Sequence, residues 1–486
     1  MLEIEEKDVL RSLRRDNPWW DARDRTSISA RYRHRRAYYD GFKTLAFNWE
    51  IHRSIILMGP RRVGKTVMLH QLIDEALTDG FPPKGILFAS IDTPLYSGLP
   101  LQRLVDLFED QSDLESDGRR LVIFDEVQYL KDWEVHLKVL TDQYPNTRFI
   151  ASGSAAAALR LKSNESGAGR FTDYFLPPLT FAEFLDFSDL EEDLIEEPDE
   201  GRKYGTKDIN ALNSAFIDYL NYGGYPEAVV SPAVRADAQR FLGRDIIDKV
   251  LLRDLPSLYG IQNIQELNRL FTTIAYHTGQ EISLEKLASS SGVAKPTITR
   301  YMEYLEAAFL IIRVKRVDSA GQQFKRMVNF KVYLANPSMR AALFAPVDAD
   351  DPAMGTLVET AYFSQWLHSP DLPHLYYARW KEGRTDMEVD LVYVREQHPP
   401  DWAMELKWSD RYVNNPNNLK GLISFAQRNP SPVFEAGASS RTQFQETEVS
   451  GVHISHQPVA VLCYAVGKNS TKQNAGSGAH LAFRRG

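Results

Sequence analysis

The sequence is poor in cysteine and in long apolar runs, and both absences narrow the classes of protein that it can encode. One cysteine, Cys463, among 486 residues excludes an internal disulfide framework and a zinc site built from several cysteines. We expect Cys463 to be a small core residue. No uncharged apolar run approaches the roughly 18 residues of a membrane-spanning helix, so no membrane partner is expected. Residues 1–6 are acidic where a signal peptide would be basic, which predicts a cytoplasmic location.

An excess of positive charge is also missing. The formal net charge is -8 at pH 7, so nucleic-acid binding would have to come from local patches. In one such patch, near the start of the chain, arginines are interleaved with tyrosines: Arg23, Arg25, Arg31, Tyr32, Arg33, Arg35, Arg36, Tyr38 and Tyr39. This arm could contact phosphates and stack on bases. It could instead be clamped on the next domain, with Trp19 and Trp20 buried and its arginines paired with acids.

A glycine-rich motif at residues 59–66, G-x-x-x-x-G-K-T, directly follows the apolar run 54–58 and precedes a segment with helical apolar spacing. A buried strand, a glycine loop and a helix in this order wrap a phosphate chain with backbone N–H groups. Lys65 would reach the β- and γ-phosphates, and Thr66 would hold Mg²⁺. The residues predicted to bind the nucleotide here are Gly59, Pro60, Arg61, Arg62, Val63, Gly64, Lys65, Thr66 and Val67.

The second half of a nucleotide site is predicted at residues 121–126, where four apolar residues end in Asp125 and Glu126. Asp125 would bind Mg²⁺ and Glu126 would polarise the attacking water, so Glu126 and Lys65 are catalytic candidates. The other interpretation is a buried strand with a solvated acidic end. A later strand at 147–154 ends in Ser152 and Ser154, either of which could hydrogen-bond the water or the γ-phosphate, although small residues there are also common packing choices.

The motif order resembles that of the archaeal-type AAA ATPase group, whose members carry a C-terminal domain of unknown function with motifs similar to PD-(D/E)XK nucleases. The resemblance covers most of the chain, to about residue 430, and its segments are G-P-R-R-x-G-K-T from residue 59, F-D-E-V-Q from 124, S-G-S from 152, G-R-F from 169, L-P-P-L-T-F-A-E-F from 176 and Y-G-G-Y-P-E from 222. It implies an ATPase that uses ATP and Mg²⁺. It also implies that Arg170 senses or stabilises the γ-phosphate, and a surface arginine is the alternative.

Helical segments, a Ser-Gly turn at 291–292 and an apolar strand at 309–315 predict a winged helix-turn-helix. In a DNA-binding module of this kind the second helix and a basic wing contact a groove or its phosphates. The candidate residues are Lys295, Thr297, Thr299, Arg300, Arg313, Lys315 and Arg316. Glu303 and Glu306 weaken the idea, and the alternative is a lid or a protein interface.

Acidic residues in the C-terminal part follow the order found in PD-(D/E)XK nucleases, namely a glutamate on a helix, an aspartate on a strand and Glu-x-Lys on the next strand. The resemblance implies Glu359, Asp390 and Glu405 as ligands of Mg²⁺ or Mn²⁺, and Lys407 as the residue that steadies the nucleophile or the transition-state charge. Charged residues on the wet face of a sheet produce the same series. A nuclease-like fold that only binds nucleic acid or a partner is a third interpretation.

Length and an apolar content of 43% predict about three globular domains of the α/β class, the first with a parallel sheet. The predicted segments are a basic and aromatic arm (1–50), a P-loop AAA-type ATPase core (51–185), an acidic insertion and helical lid (186–260), a winged helix-turn-helix (261–330), a nuclease-like domain (331–466) and a disordered tail (467–486). The predicted function is Mg-dependent ATP hydrolysis coupled to action on DNA or other nucleic acid. The alternative is an ATP-driven switch or interaction protein whose C-terminal fold only binds, and a homo-oligomer is open in both cases.

Overall fold

The computed structural model describes residues 5–21, 33–96, 98–112, 118–153, 169–198, 203–324, 329–396 and 398–477. The chain divides into two units, principally Met1–Pro177 (unit 1) and Pro178–Gln473 (unit 2). No helix in the described ranges is both long enough and apolar enough to cross a membrane. Predicted residues that lie outside these ranges are Arg23, Arg25, Arg31, Tyr32 and Ser154.

Helices and strands alternate along unit 1. The helices are α1 (Glu6–Asp16), α2 (Tyr39–Ala46), α3 (Lys65–Thr78), α4 (Leu101–Glu109) and α5 (Trp133–Gln143). The strands are β1 (Ser54–Met58), β2 (Ile86–Ser90), β3 (Arg120–Asp125), β4 (Thr147–Gly153) and β5 (Phe171–Phe175).

Within the described part of unit 1, these five strands form one parallel sheet in the order β2-β3-β4-β1-β5. Strands β1, β3 and β4 are buried along their whole length, as expected for near-continuous apolar runs in a sheet covered on both faces. The prediction of a parallel α/β sheet is confirmed. The carboxyl ends of its central strands share one edge, which is where open parallel sheets bind ligands.

Unit 2 begins with helices and continues into a larger sheet. Its helices are α6 (Phe181–Phe187), α7 (Glu191–Leu194), α8 (Ile209–Tyr222), α9 (Pro226–Val230), α10 (Pro232–Ala236), α11 (Ala238–Arg240), α12 (Leu255–Tyr259), α13 (Ile264–Tyr276), α14 (Leu284–Ser291), α15 (Lys295–Ala307), α16 (Ser338–Leu343), α17 (Met354–Gln365), α18 (Arg411–Asn414), α19 (Lys420–Arg428) and α20 (Val459–Ser477). Two π-helical stretches, Phe241–Asp248 and Val250–Asp254, lie between α11 and α12.

The strands of unit 2 are β6 (Ile195–Glu196), β7 (Gly205–Thr206), β8 (Glu281–Ser283), β9 (Ile311–Val317), β10 (Asn329–Leu334), β11 (Leu375–Glu382), β12 (Thr385–Tyr393), β13 (Trp402–Glu405), β14 (Glu435–Ser440), β15 (Gln445–Val449) and β16 (Val452–Pro458). Strands β6 and β7 form a small antiparallel pair. Over the described residues, the other nine form one mixed sheet in the order β15-β16-β14-β13-β12-β11-β9-β10-β8.

This larger sheet crosses the boundary predicted at 330/331. Strand β9, predicted as a wing, pairs with β10 on one edge and runs parallel to β11 on the other. Both of its edges therefore find backbone hydrogen-bond partners, which is more favourable than leaving one edge open. Residues on both sides of 330/331 therefore belong to one sheet.

The prediction of a disordered tail over 467–486 is wrong for its first part, because α20 continues to Ser477. Tertiary contacts within unit 2 order this low-complexity segment. Gly467 passes so close to Thr180 that an added Cβ would lie 2.9 Å from the threonine Cβ, and Lys468 forms an ion pair with Glu191 at 2.6 Å. Residues 478–486 lie outside the described ranges. Earlier on the same helix, Cys463 is fully buried, as predicted for a core residue.

Candidate nucleotide site and C-terminal carboxylate cluster

The loop between β1 and α3 follows a path that its two glycines permit. Gly59 leaves β1 against the backbone of Leu176, and an added Cβ would lie 2.3 Å from the Leu176 carbonyl oxygen. Gly64 has a φ of 96°, in the left-handed region that other residues rarely adopt, and α3 begins directly after it. The loop therefore brings the N-terminus of α3 to the carboxyl edge of the sheet.

Lys65 is buried and its ammonium group turns back along this loop. Its Nζ donates hydrogen bonds to the carbonyl oxygens of Gly59 and Pro60, at 3.0 and 2.8 Å. Arg61 of the same loop donates to the Tyr129 hydroxyl at 2.8 Å. A fixed positive charge therefore lies beside the N-terminus of α3, where the helix dipole also favours an anion.

Side chains from α3, β3 and β4 meet beside the loop. Thr66 Oγ1 donates to Asp125 Oδ2 at 2.7 Å, and the Ser152 hydroxyl donates to Oδ1 of the same carboxylate. They meet because β3 and β4 are neighbouring parallel strands that end at the same edge. Thr66 and Asp125, the predicted Mg²⁺ ligands, are therefore in direct contact. Both are oxygen donors of the kind that Mg²⁺ prefers, so they fit that ion.

Glu126 follows β3 in a left-handed conformation, with a φ of 56°. Its backbone N–H donates to Asp125 Oδ1 at 3.1 Å, and its carboxylate accepts a hydrogen bond from Gln128 Nε2. Burial raises the pKa of Glu126, with Lys65 opposing the shift and Asp125 adding to it. A raised pKa makes this carboxylate a stronger proton acceptor, as a water-activating base requires.

Arg36 belongs to the site although the sequence analysis assigned it only to the arm. Its buried guanidinium donates from Nη1 to the carbonyl of Val63, at 2.7 Å, and from Nη2 to the carbonyl of Pro177, at 2.8 Å. One cation therefore ties the arm to the glycine loop and to the segment after β5. The spacing of residues could not reveal this, because both partners are backbone atoms far away in sequence.

The described part of the arm packs on unit 1, in agreement with the second interpretation above. Trp19 and Trp20 both donate from Nε1 to the carbonyl of Ile86, at 3.2 and 2.7 Å. Arg35 forms an ion pair with Glu75 at 3.0 Å. The arm is thus held by its tryptophans and by arginine contacts within unit 1.

Arg170 lies at the other end of the strands. It directly precedes β5, its carbonyl accepts a hydrogen bond from the backbone N–H of Ser54, and its guanidinium pairs with Asp142 at 3.1 Å. Ser54 is the first residue of β1 and the glycine loop follows the last, so about 13 Å of strand separates Arg170 from the loop. Arg170 therefore does not reach the nucleotide site of its own chain in this arrangement.

Two residues predicted to contact nucleic acid, Arg313 and Arg316, have side chains that bond acceptors within unit 2. Arg313 forms a bidentate ion pair with Glu306, at 3.1 and 2.8 Å. Arg316 donates from Nε to the carbonyl of Arg379 at 3.0 Å and lies 3.7 Å from Glu281. Both side chains lie on an internal strand among acceptors, and their part in DNA contact stays a prediction.

The remaining candidates lie at the surface of unit 2. Helices α14 and α15 are joined through Gly292, which has a φ of 73°. Lys295 forms an exposed ion pair with Glu285 at 2.6 Å, while Arg300 and Lys315 are exposed and Thr297 is half-buried. Their role in DNA contact stays a prediction.

The predicted nuclease residues meet in unit 2. Asp390 on β12 accepts hydrogen bonds from the backbone N–H of Leu406, at 2.9 Å, and from Lys407 Nζ, at 2.8 Å. Lys407 also pairs with Glu405 at 2.6 Å. Glu359, on α17, lies 3.4 Å from the ammonium group of Lys331, which also lies 3.7 Å from Asp390. Pairing of β12 with β13 brings Asp390 and Glu405 together, and both are buried.

Lys331, on β10, is a second lysine of this cluster that the sequence analysis missed. Its Nζ lies 2.7 Å from Glu388, 3.4 Å from Glu359 and 3.7 Å from Asp390. The Tyr333 hydroxyl, two residues along β10, donates to Glu359 at 2.8 Å. A lone lysine inside an otherwise apolar strand is the sequence signal that could have indicated a buried, paired charge.

The carboxyl groups of the cluster differ in proton affinity. Burial raises the pKa of Glu359 to about 7 and that of Glu405 to about 8, and neighbouring Asp390 adds to both shifts. Burial also opposes the charged form of Asp390, but Lys407 and Lys331 outweigh it and hold the pKa of Asp390 well below its usual range. The two lysines therefore stabilise at least one buried carboxylate.

The arrangement does not fit a divalent metal ion. Among the described residues, no group of three or more His, Cys, Asp or Glu side chains is placed to hold one. The carboxylates that would serve as ligands are instead bonded to ammonium groups, at 2.6 to 3.7 Å. Their oxygen chemistry suits Mg²⁺ or Mn²⁺, but the positions around them are taken by lysine.

Two family models match the chain. Residues 52–185 match a family described as an AAA domain. Together with the glycine loop and the parallel sheet, this match identifies unit 1 as carrying an AAA-type P-loop ATPase domain. The predicted class of this domain is thereby confirmed. Residues 213–351 match a family described as a domain of unknown function (DUF8612). This second match crosses the boundaries predicted at 260/261 and 330/331.

Relatives are distant and themselves uncharacterized proteins. One from Haemophilus influenzae is 22% identical over 59% of this chain and 68% of its own length. One from Methanocaldococcus jannaschii is 24% identical over 53% of this chain, and the match spans only 55% of that protein. One from Mycobacterium tuberculosis is 26% identical over 74% of this chain and 71% of its own length.

Solved structures with some similarity include a Walker-type ATPase of Pyrococcus abyssi. It is 16% identical, with a TM-score of 0.40, over 67% of this chain and 99% of that one. The ORC2 protein of Aeropyrum pernix is 15% identical, with a TM-score of 0.37, over 67% of this chain and 96% of its own. Similarity at this level adds nothing to the fold established by the strands themselves.

Proposed function

We propose that the protein is a Mg-dependent ATPase of the AAA class that works as an ATP-driven switch. The observation that carries this proposal is the meeting of Lys65, Thr66, Asp125 and Glu126 at the carboxyl edge of the parallel sheet. These are the residue types that bind a triphosphate and position water for in-line attack. Phosphate release from ATP with Mg²⁺, and its loss when the metal is chelated, tests the activity directly.

In the proposed reaction the loop N–H groups and Lys65 bind the phosphate chain and neutralise its charge. Glu126 accepts a hydrogen bond from the attacking water and takes up its proton as the water oxygen bonds to the γ-phosphorus. The bond from that phosphorus to the bridging oxygen breaks at the same time, so ADP leaves with that oxygen and inorganic phosphate is released. The Ser152 hydroxyl holds Asp125 in place and lies 3.4 Å from the Glu126 backbone nitrogen, so it links the two acidic residues. Thr66 and Asp125 would hold Mg²⁺, which supplies charge neutralisation when bound.

Arg170 could contact the γ-phosphate only in the site of a neighbouring subunit. It directly precedes β5, and the glycine loop of its own chain lies at the opposite end of these parallel strands. We expect Arg170→Ala to lose ATP turnover, and mixing this variant with Glu126→Gln protein should restore part of it. In mixed assemblies some sites combine an intact Glu126 with an intact Arg170 from a neighbouring chain. Steady-state phosphate release at several mixing ratios measures the rescue.

Arg11→Ala is the matched control, since Arg11 is an exposed arginine paired only at the surface with Asp8, at 3.6 Å. Its turnover should equal that of the wild type. If Arg170→Ala keeps full activity, Arg170 is a surface residue without a catalytic role. If activity is lost and no mixing ratio gives more than the sum of the separate activities, Arg170 does not act across a subunit interface.

A nucleic-acid partner is a second candidate, favoured by the helix pair α14 and α15 with exposed Arg300 and Lys315 beside it. The double variant Arg300→Ala, Lys315→Ala should bind duplex DNA more weakly. It should also lower the slope of log affinity against log salt by roughly 2, because two phosphate contacts release fewer counterions. Fluorescence anisotropy over a salt series measures both quantities.

Arg313→Ala is the control for this test, because Arg313 is already neutralised by Glu306 and should leave the salt slope unchanged. An unchanged slope in the double variant would remove DNA contact from this surface. The switch proposal would then retain a protein partner in place of DNA.

A further inference from the structure

The path of the Lys331 side chain shows that it is built into the carboxylate cluster. Lys331 lies on β10, and two strands, β9 and β11, separate β10 from β12, which carries Glu388 and Asp390. The Lys331 side chain reaches along the face of the sheet, with Nζ 5.5 Å from the centre of the Tyr377 ring on β11, and the carboxylates of Glu388 and Asp390 reach toward it from β12. Only 3% of the side chain is exposed. A buried lysine extended over an aromatic ring has few other conformations available to it.

The two lysines together give every carboxylate of the cluster a positive partner. Lys331 contacts Glu388, Glu359 and Asp390, whereas Lys407 contacts Asp390 and Glu405. Buried carboxylates need such partners, because an unpaired charge in a low-dielectric interior is very costly. Two ammonium groups face four carboxyl groups, and Arg379 adds a third cation 3.8 Å from Glu388, so much of the countercharge comes from the chain itself.

A metal ion would have to compete with Lys331 for the same oxygen atoms. Mg²⁺ and Mn²⁺ need several oxygen ligands at close range, and Lys331 Nζ occupies the space between Glu359, Glu388 and Asp390. A divalent cation beside a buried ammonium group would also meet strong like-charge repulsion. These carboxylates can be neutralised by the ammonium group or by a metal ion, but not by both at once.

We infer that Lys331 takes the place of the divalent cation in this cluster, so that the nuclease-like arrangement of unit 2 is closed to metal by a residue of the chain itself. The inference concerns unit 2 alone and does not rest on the ATPase activity proposed for unit 1. It assigns the cluster a structural role, in which it joins α17 to the strands β10, β12 and β13. Phosphodiester cleavage that needs Mg²⁺ or Mn²⁺ has no place in such a site.

A Mn²⁺ titration of the full chain without nucleotide, followed by electron paramagnetic resonance of the free ion, tests this inference. Wild-type protein and the Asp390→Asn variant should bind equal amounts of Mn²⁺, because the cluster binds none in either. Lys331→Met keeps the apolar stem and removes the ammonium group. Glu359, Glu388 and Asp390, which now surround Lys331 Nζ, can then close around an ion, so this variant should bind one more Mn²⁺ per chain. The double variant Lys331→Met, Asp390→Asn should lose this extra site.

Thermal melting gives a second readout. Without metal, Lys331→Met should melt lower than the wild type by on the order of 5 °C or more, because buried carboxylates lose their partner. Mn²⁺ should reverse the fall in this variant and leave the wild type unaffected. Lys331→Arg keeps a cation and should stay closed to Mn²⁺. Lys315→Met, which removes an exposed lysine from neighbouring β9, should change neither measurement.

The inference is overturned if the wild type binds one more Mn²⁺ than Asp390→Asn, since the cluster would then be open to metal. It is also overturned if folded Lys331→Met gains no site, because something other than Lys331 would then exclude the ion. If Lys331→Met does not fold, the comparison of wild type with Asp390→Asn still decides whether the cluster is closed.

Discussion

Glu126→Gln should slow ATP turnover by about 100-fold or more while nucleotide affinity stays close to that of the wild type. Glutamine keeps the size and hydrogen-bonding reach of Glu126 but cannot accept the proton of the attacking water. Lys65→Ala should weaken nucleotide binding, the step before turnover, because it removes the ammonium group held inside the glycine loop. Binding of a fluorescent ATP analogue and steady-state phosphate release separate the two effects.

Glu109→Gln is a suitable control for this pair, because Glu109 ends α4 and accepts a hydrogen bond from the hydroxyl of Tyr144 just before β4, at the edge of the sheet opposite the glycine loop. Its folded protein should turn over ATP at the wild-type rate. Equal turnover in the wild type, Lys65→Ala and Glu126→Gln would place any ATPase activity outside the proposed site.

Arg36→Met should weaken nucleotide binding by roughly tenfold and lower the stability of unit 1 by about 2 to 3 kcal/mol. The substitution leaves the carbonyls of Val63 and Pro177 without the charged donor that now reaches both. Val63 lies within the glycine loop, so its loss of support loosens the phosphate-binding backbone directly. Urea unfolding and nucleotide titration measure the two effects.

Arg35→Met provides the matched control one residue earlier. Arg35 pairs with Glu75 at a largely exposed position, and surface ion pairs contribute about 1 kcal/mol or less. This variant should leave nucleotide affinity unchanged. If Arg36→Met behaves like Arg35→Met, the contact with Val63 does not support the loop.

The nucleotide site could be predicted from the sequence because its determinants are local. The loop, its two glycines, Lys65 and Thr66 are consecutive, and the apolar run before them predicts the strand that delivers them. Asp125 and Glu126 also directly end a strand. Arg36 could not be predicted in the same way, since its acceptors are carbonyl oxygens that any residue type carries. Its low exposure is visible only once the arm is folded on unit 1.

The C-terminal carboxylate cluster could be predicted only in part, because some of its contacts are not local in sequence. The order of Glu359, Asp390, Glu405 and Lys407 correctly anticipates that these side chains meet, but not what neutralises them. Lys331 comes from a strand three places away in the sheet, and nothing in the sequence sets that strand order. Strand pairing is also the reason that one sheet continues across the boundary predicted at 330/331. The side chains of a strand do not identify the strand that it pairs with, because pairing uses backbone groups. Helices and turns, in contrast, are recognised from residues that are neighbours in sequence.

Continuity of the sheet through β9 limits how unit 2 can be divided by proteolysis or by gene truncation. A fragment that starts at residue 331 would begin inside β10 and would leave β11 with one open edge, because β9 would be gone. Open edges with apolar neighbours are templates for aggregation. A fragment that starts near Pro178 would retain all nine strands. A fragment that separates the segments predicted as winged helix and nuclease-like domain should therefore aggregate, whereas the two expressed together should not.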